Sequence, residues 1–578
     1  MLLAPLVVLA IHALLHPHSA PAGDQAILQL RVADVGTRHT PLVGSYQRFG
    51  WNQPGPAYLY LLAVPYRLFG SNYAALQVGA LLVNALAIAG TLFICFKRGG
   101  LALYLWAAAL LAVMIHAMGP ATLAGPWEPD VSILALALTI VLAADVVLGR
   151  AWSIPALTVL TVFLVQGWAT TAPVAAVLFL WAVAAFIVRA FAHRAPVDNS
   201  NGANSRAAAH HRAWLLPVIV AVAVLVVSWI PPVVQQLRTS PGNIGLIAQF
   251  IRQPHTTLGL ADGYRAVALQ LGTRAPWMGW ALPLQGFVSE VNTHAAQVVP
   301  VVLVLLIAGC AFAARRRDSS LAFGATATLA VLTMIVALSR LVGGLFVEIV
   351  EPTWAIGWGA LLAAGWCGYS PLGARTRRTI LRVAVPALSI VVLLFGSLAL
   401  ADATGGPPAN PPVDRVVRQV ADRAVGVART AHGPVLVSTD IDVRPGVPST
   451  IGPGLLVLTL SRAGIDAVVG RDLANRFGDF RADPSRAVLE LRMTSSGSAP
   501  AGSGWRRVTT VDPLTAKDHS TRDRLEAELE RRLGPGLSPA QQFQRVVRDR
   551  RLRALDQRIS RFDVQPALTL WARRIAKH

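Results

Sequence analysis

The sequence predicts an all-α polytopic membrane protein of about 11 transmembrane helices, followed by a small extracytoplasmic α/β domain at the C-terminus. Three observations lead there. Of the 578 residues, 54% are hydrophobic and 14% are charged, against about 25% charged in an ordinary soluble domain. Mean hydropathy is +0.52. The acids are unevenly placed, with 11 of the 30 in residues 1–400 and 19 in residues 401–578. The first 400 residues cannot supply the charged shell that a soluble core needs. That excludes a soluble enzyme, a fibrous protein and a disordered chain.

A span needs about 20 mostly apolar residues. Runs of that kind fall near 2–15, 72–95, 101–118, 131–148, 153–170, 173–189, 213–232, 296–314, 320–339, 351–370 and 383–400. The first run is short and lacks a basic leader, so it reads as an uncleaved first helix. Positive charge gathers at Lys97-Arg98, Arg150, Arg189 to Arg212, Arg315-Arg316-Arg317 and Arg375 to Arg382. With the N-terminus inside, all five clusters fall on the cytoplasmic side, as the positive-inside rule requires. The protein then reads as a multi-pass plasma-membrane protein with its C-terminal domain outside. Trp51, Trp127, Trp168, Trp229 and Trp354 sit near the proposed outer boundaries, as aromatic belts do.

The transmembrane part is read as residues 1–400, with long outer segments at 16–70 and 233–297. Residues 401–412 are rich in Gly, Pro and Ala and read as a linker. In the domain at 413–578, Gly433 to Ser438 and Val488 to Met493 read as strands, and Leu455 to Val469 as a helix. Residues 520–533 and 538–560 carry apolar residues at helical spacing, among them Phe543, Val546, Val547, Leu552 and Leu555.

The net charge of +21 points to anionic lipid and not to nucleic acid, because the positive charge of the first part lies in short loops between apolar runs. Arg outnumbers Lys 48 to 3, which fits genomic base composition. The three cysteines, Cys95, Cys310 and Cys367, lie in apolar runs without a CxxC, so disulfide, zinc and thiol-nucleophile readings are set aside. No phosphate-binding or zinc-protease motif occurs in a sensible context.

Eight of the 11 early acids face outward in this topology: Asp24, Asp34, Glu128, Asp130, Asp262, Glu290, Glu348 and Glu351. Such a cluster in an acid-poor domain invites a site hypothesis, against the plainer reading of solvated loops. Asp24, Ile27, Arg31 and Asp34 fall at helical spacing, which would put both carboxylates near one face as base and orienter, or against a metal or a sugar hydroxyl. Asp24 could equally cap that helix. Trp51, Asn52 and Gln53 run into Pro54-Gly55-Pro56 and suit sugar stacking and hydroxyl recognition, or form an interfacial turn. Trp127, Glu128 and Asp130 open a span on the same side. Arg340, at the outer end of a span, is a candidate partner for a lipid phosphate, with Glu348 or Glu351 as a structural alternative. His12, His16 and His18 only loosely resemble a ligand cluster.

An early Asp after a first helix, in Gly23-Asp24-Gln25-Ala26, followed by Gly50-Trp51-Asn52-Gln53-Pro54-Gly55-Pro56, resembles the GT-C superfamily of polyprenyl-phosphate-sugar-dependent membrane glycosyltransferases. In particular it resembles actinobacterial, mycobacterial-type cell-envelope arabinofuranosyl- and mannosyltransferases. The likeness extends to Trp229 through Asn243 and covers most of residues 1–400. The resemblance implies a GT-C-like fold and an inverting-type transferase active on the outer face. It implies a polyprenyl-phosphate-linked sugar donor, arabinofuranose or mannose, and a glycan or glycolipid acceptor of the cell envelope. The catalytic candidates are Asp24, as general base, with Asp34 and Glu128. The substrate-binding candidates are Trp51, Asn52, Gln53, Trp127, Asp130 and Arg340. Asp34 departs from family members with two adjacent acids. No metal ligands are assigned, and a divalent cation is left open as a cofactor. Two other classes stay open. A lipid or glycan transporter or flippase would want broken helices and paired repeats. A non-catalytic envelope-assembly scaffold would keep the fold and lose dependence on Asp24.

Overall fold

The computed structural model describes every residue except 17–20, 22, 193–202, 283–290, 294–298, 408–410, 442–451, 496–498, 538–540, 543–544, 547–548, 560–561, 563–566 and 576–578. Glu290, His18, Phe543 and Val547 thus lie outside the described residues. The chain divides into two units. One comprises 1–17, 35–283 and 290–408, and the other 18–34, 284–289 and 409–578.

The first unit is a helical bundle. Its elements are α1 (Ala4–Leu15), α3 (Ala57–Leu68), α4 (Tyr73–Ala124), α5 (Glu128–Val147), α6 (Ser153–Gly167), α7 (Ala172–Ala192), α8 (Ala203–Arg238), α9 (Asn243–Arg252), α10 (Gly259–Leu271), α11 (Val301–Arg315), α12 (Leu321–Ser339), the single turn α13 (Val347–Val350), α14 (Trp354–Tyr369) and α15 (Ala374–Thr404). Among the described residues, six helices are long and apolar enough to cross a membrane: α4, α5, α7, the part of α8 from Trp214, α12 and α15. Helices α1, α6 and α11 are apolar and shorter.

The expected spans 72–95 and 101–118 both fall inside α4. Asn72 caps its start by accepting from the Ala75 amide at 3.0 Å. Gly100 breaks it with φ 58° and ψ −150°, a backbone state that glycine reaches without a Cβ penalty. The chain folds back there, since the Asn84 side chain donates to the Leu123 carbonyl at 3.0 Å. Gly119, also at positive φ, bends the second arm before Pro120.

α5 is the centre of the bundle. It is apolar on every side and packs against α4, α6, α7, α12 and α14, as a fully buried helix must. Its C-terminal end is held by charge. Asp145, fully buried, is paired with Arg98 of α4 and accepts from the Ser153 hydroxyl at the start of α6. Arg98 also donates to the Asp145 carbonyl at 3.0 Å. Arg189 lies against Gly149 at this same end, where a Cβ would come within 3.1 Å of its Nε.

Several boundaries differ from the sequence reading, among them the helix expected at 383–400, which spans Ala374–Thr404. α8 runs to Arg238 through Pro231-Pro232, so the outer segment expected from 233 starts as helix. That segment is also not a plain loop. α10 packs on α12 so closely that a Cβ at Gly263 would meet the Ile335 carbonyl at 2.7 Å. Glycine is what permits this backbone contact. The span expected from 351 begins as a helix at Trp354, and Glu351 sits outside it, in the 3-10 turn Glu351–Thr353.

The second unit contains α2 (Gly23–Asp34) and α16 (Pro411–Arg429), then β1 (Val435–Asp440), α17 (Pro453–Arg462), β2 (Ala467–Val468), α18 (Ala474–Phe477), β3 (Leu489–Thr494), β4 (Arg506–Val511), α19 (Ala516–Leu533), α20 (Arg550–Ile559) and β5 (Leu568–Arg574). The strands form one sheet in the order β2-β1-β3-β5-β4. β1 is parallel to β2 and β3, and β5 is antiparallel to β3 and β4. The stretch expected as a helix to Val469 leaves the helix at Arg462 and enters β2, with Gly464 at φ 73° making the turn. α19 starts on a capping box between Thr515 and Asp518. It packs on α20 through Leu525, Leu555 and Ile559.

The Arg98–Asp145 pair supplies a first prediction. Asp145→Ala strands a guanidinium beside α5, and removing one partner of a buried pair costs about 3–5 kcal/mol. Arg98's side chain is 24% exposed, so the loss falls near about 3 kcal/mol. Thermal unfolding in detergent should show a lower Tm than for Asp145→Asn, which keeps a hydrogen-bonding group there. Equal melting of Asp145→Ala and wild type would contradict the clamp.

Candidate active site

At the opposite end of α5 the chain gathers carboxylates. Pro126 and Pro129 set the entry to the helix, and Glu128 and Asp130 stand in its first turn. A helix N-terminus favours negative charge there. Glu128 is buried and accepts a hydrogen bond from the Ser45 hydroxyl. Asp130 lies against Gly125, where any side chain would collide with its Oδ2. The charges of Glu351, Glu128 and Glu348 all act on Asp130, so four carboxylates of the first unit share one region.

Glu351 lies outside the membrane-spanning helices, in the turn before α14. Burial first, and then the neighbouring Glu348, push its carboxyl up to about 7. A carboxyl with that value can hold or release a proton near neutral pH. The Tyr58 hydroxyl, on α3, donates to the Pro126 carbonyl at 2.7 Å and fixes the approach to α5. Burial, with the negative charges of Glu128 and Asp130, holds that phenol well above its ordinary value, so it stays a donor.

The segment before α3 is a small antiparallel hairpin. The Gly44 amide donates to the Gln53 carbonyl at 3.0 Å, and the Gln53 amide to the Ser45 carbonyl at 2.7 Å. Gly50, at φ 87°, turns the tip. This hairpin delivers Ser45 to Glu128. Pro54-Gly55-Pro56 then runs past Gln166 of α6, whose Oε1 accepts from the Ala57 amide at 3.3 Å. A side chain on Gly55 would occupy the Gln166 amide, so the glycine serves close approach as well as a turn.

Asn52 is buried and makes a reciprocal pair with Asn243. Its amide donates to Asn243 Oδ1 at 2.7 Å, and Asn243 Nδ2 donates back to the Asn52 carbonyl at 2.9 Å. Asn52's own side chain donates to the Gly44 carbonyl at 3.3 Å. Trp51 is buried, with its ring 5.9 Å from that of Phe250, which stacks on His255 at 4.2 Å. Gln53 is 1% exposed, and neither polar atom of its side chain has a hydrogen-bond partner among the described residues. Trp127 is half-buried, edge-on to Trp168 at 6.2 Å. Arg340 is exposed, at the C-terminal cap of α12. Arg48 donates to the Val342 carbonyl at 3.0 Å and lies 5.4 Å from the Phe346 ring.

The remaining candidates, Asp24 and Asp34, belong to the second unit. Asp24 is exposed in the first turn of α2. Asp34 is buried, and both its oxygens accept from Arg481, at 2.7 and 2.9 Å. Arg481 also donates to the Phe477 carbonyl at 3.1 Å and lies 4.3 Å from the Phe480 ring. Such a two-point pair fixes α2 to the sheet domain. Among the described residues, no three His, Cys, Asp or Glu side chains are placed to hold a metal ion.

Sequence reasoning passed over Ser45 and Gln166. The repeated Gly and Pro between 44 and 56 carried a signal of close backbone packing. Nothing in the sequence named its partners.

No family model and no curated protein sequence matches the chain. Among solved structures, it is similar to ArnT from Cupriavidus metallidurans in the apo state, at 13% identity and TM-score 0.46, over 85% of this chain and 92% of that chain. The same protein bound to undecaprenyl phosphate gives 13% identity and TM-score 0.46, over 85% and 93%. The archaeal oligosaccharyltransferase AglB from Archaeoglobus fulgidus, in complex with an inhibitory peptide and a dolichol-phosphate, gives 12% identity and TM-score 0.41, over 99% and 88%.

The raised Glu351 carboxyl makes a pH prediction. Its folded value, about 7, exceeds the ordinary 4.5, so the folded state holds the proton more tightly than the unfolded one. The stability this brings is fully present below the ordinary value and is lost as pH rises through about 7. Glu351→Gln should therefore melt higher than wild type near pH 8, with the gap closing toward pH 5. A gap independent of pH would contradict the assignment.

Proposed function

We propose that this chain is a membrane glycosyltransferase that moves a sugar from a polyprenyl-phosphate donor to an envelope glycan or glycolipid on the outer face. Arabinofuranose or mannose is the sugar the sequence resemblance favours. The observation that carries the reading is the gathering of Glu128, Asp130, Glu348 and Glu351 at the end of α5 away from the arginines, beside a hairpin with a buried, unsatisfied Gln53.

The chemistry needs few parts. A carboxylate takes the proton of the acceptor hydroxyl while that oxygen attacks the anomeric carbon. The bond from that carbon to the phosphate oxygen breaks, and the lipid phosphate leaves with the electron pair. Positive charge eases its departure, and Arg340 is the candidate for it. No nucleotide is needed, because the lipid phosphate is already the leaving group. The resemblance implies Asp24 as the general base; within the first unit, Glu128, held by Ser45, is the carboxylate available for that role. Trp51, Asn52 and Gln53 shape the hairpin, and Trp127 and Asp130 complete the substrate side.

The test is transfer by the purified full chain in nanodiscs, with a panel of radiolabelled polyprenyl-phosphate sugars and envelope acceptors. Loss of the base should lower kcat by about 10²–10⁴-fold. Asp24→Asn is expected to show that loss with donor binding retained, and Glu128→Gln to raise KM for the acceptor. Equal kcat for Asp24→Asn and wild type would move the base to Glu128 or Asp130. No transfer from any donor by a folded wild-type sample would overturn the enzyme reading.

A further inference from the structure

Away from the acidic end, a groove of about 200 Å³ opens between α4, α14 and α15. Its wall is apolar. Trp106, Trp366 and Tyr369 form one side, and Leu381, Ala384 and Leu388 the other. Gly365 lets the floor form, because a Cβ there would come within 2.6 Å of the Trp106 indole nitrogen. α15 beside the groove presents apolar side chains outward, with Val383 71% and Ile390 63% exposed. A groove on such a face meets lipid chains.

One end of the groove is strongly basic. Arg375, Arg377, Arg378 and Arg382 occupy the first turns of α15, with no acid in its first turn. Cations at a helix N-terminus are unfavourable against the macrodipole, and an anion bound there would offset them. Arg377 lies one turn before Leu381, on the helical face that Leu381, Ala384 and Leu388 share, next to the Ile380–Leu381 end of the groove. The Tyr369 hydroxyl, at the groove's edge, donates to the Arg377 carbonyl at 3.5 Å. Asp318 feels the charge of Arg377. Arg375, Arg378 and Arg382 are exposed and have no ion pair among the described residues.

The lengths agree as well. From Arg377 to Leu388 the helix rises about 16 Å, and one leaflet of hydrocarbon is about 15 Å deep. We propose that this groove is a binding site for an anionic phospholipid, with one acyl chain along Leu381, Ala384 and Leu388 and the phosphate against the α15 arginines. The site is separate from the acidic end and does not depend on the transferase reading.

Native mass spectrometry of the full chain in detergent tests it, with phosphatidylglycerol, phosphatidylcholine and soluble glycerol phosphate as probes. Wild type should retain phosphatidylglycerol over phosphatidylcholine and fail to retain glycerol phosphate. The variant Arg377→Gln/Arg378→Gln/Arg382→Gln should lose that retention by more than about tenfold, since each basic residue near a lipid surface contributes about 1 kcal/mol. Ala384→Phe, which fills the groove and keeps the arginines, should lose it too. Lipid-free Tm checks that each variant is folded, and Leu388→Trp replaces Ala384→Phe if that chain does not fold. Equal retention of the two phospholipids by wild type would overturn the proposal. So would full retention by the folded groove-filling variant, which would reduce the effect to surface charge.

Discussion

A charge inside a bilayer must be partnered, because water cannot solvate it there. In this chain that constraint organises α5, a helix buried on every side with ionisable groups at both ends. At its C-terminal end Asp145 is satisfied by Arg98 and Ser153, which ties α4, α5 and α6 together. At its N-terminal end Glu128 and Asp130 have other carboxylates for neighbours. One end of the same helix is therefore compensated by a cation, and the other gathers carboxylates. Small residues allow the close packing elsewhere in the bundle: Gly263 of α10 lies against the α12 backbone, Gly99 of α4 against Trp366 of α14, and Gly365 of α14 against Trp106 of α4.

The acidic end is built from short-range devices. The hairpin at 44–53 depends on Gly44 and Gly50, and its exit depends on Pro54-Gly55-Pro56 seated on Gln166. The Asn52–Asn243 pair fastens the hairpin to the start of α9. These contacts set Ser45 on Glu128, and Tyr58 on the carbonyl that precedes α5. A buried Gln53 with both polar atoms unmatched carries the cost of an unmade hydrogen bond. Functional sites are where such costs are tolerated.

The helical, apolar character of the chain was legible because it rests on composition and run length, which local sequence carries. Gly100 shows the limit. The two runs beside it were visible as separate spans, while their reversal depended on one backbone angle. α10 was missed as a packed helix because its apolar face is short and its partner, α12, lies more than sixty residues further on. Glu128 and Asp130 stood out as acids in an acid-poor stretch. Their link to Ser45, Glu348 and Glu351 was not legible, because it joins segments that only the folded bundle brings together. Asp34 looked like one of a catalytic pair by helical spacing, and its two-point bond to Arg481, 447 residues away, is invisible to periodicity. The strands β1 and β3 were readable from apolar runs, but the two-residue β2 was not, since so short a strand has no pattern of its own.

In the proposed reading, a lipid-linked phosphate donor binds at the acidic end of α5. Photo-crosslinking with a diazirine-bearing polyprenyl phosphate, mapped by peptide mass spectrometry on the full chain in nanodiscs, addresses it most directly. Adducts are expected on the hairpin at 44–53, at 127–130 and in the segment from Arg340 to Glu351, reduced by an excess of unlabelled polyprenyl phosphate. Adducts confined to the arginine-bearing end of the bundle, or spread evenly over its lipid-facing surface and insensitive to competitor, would contradict that reading.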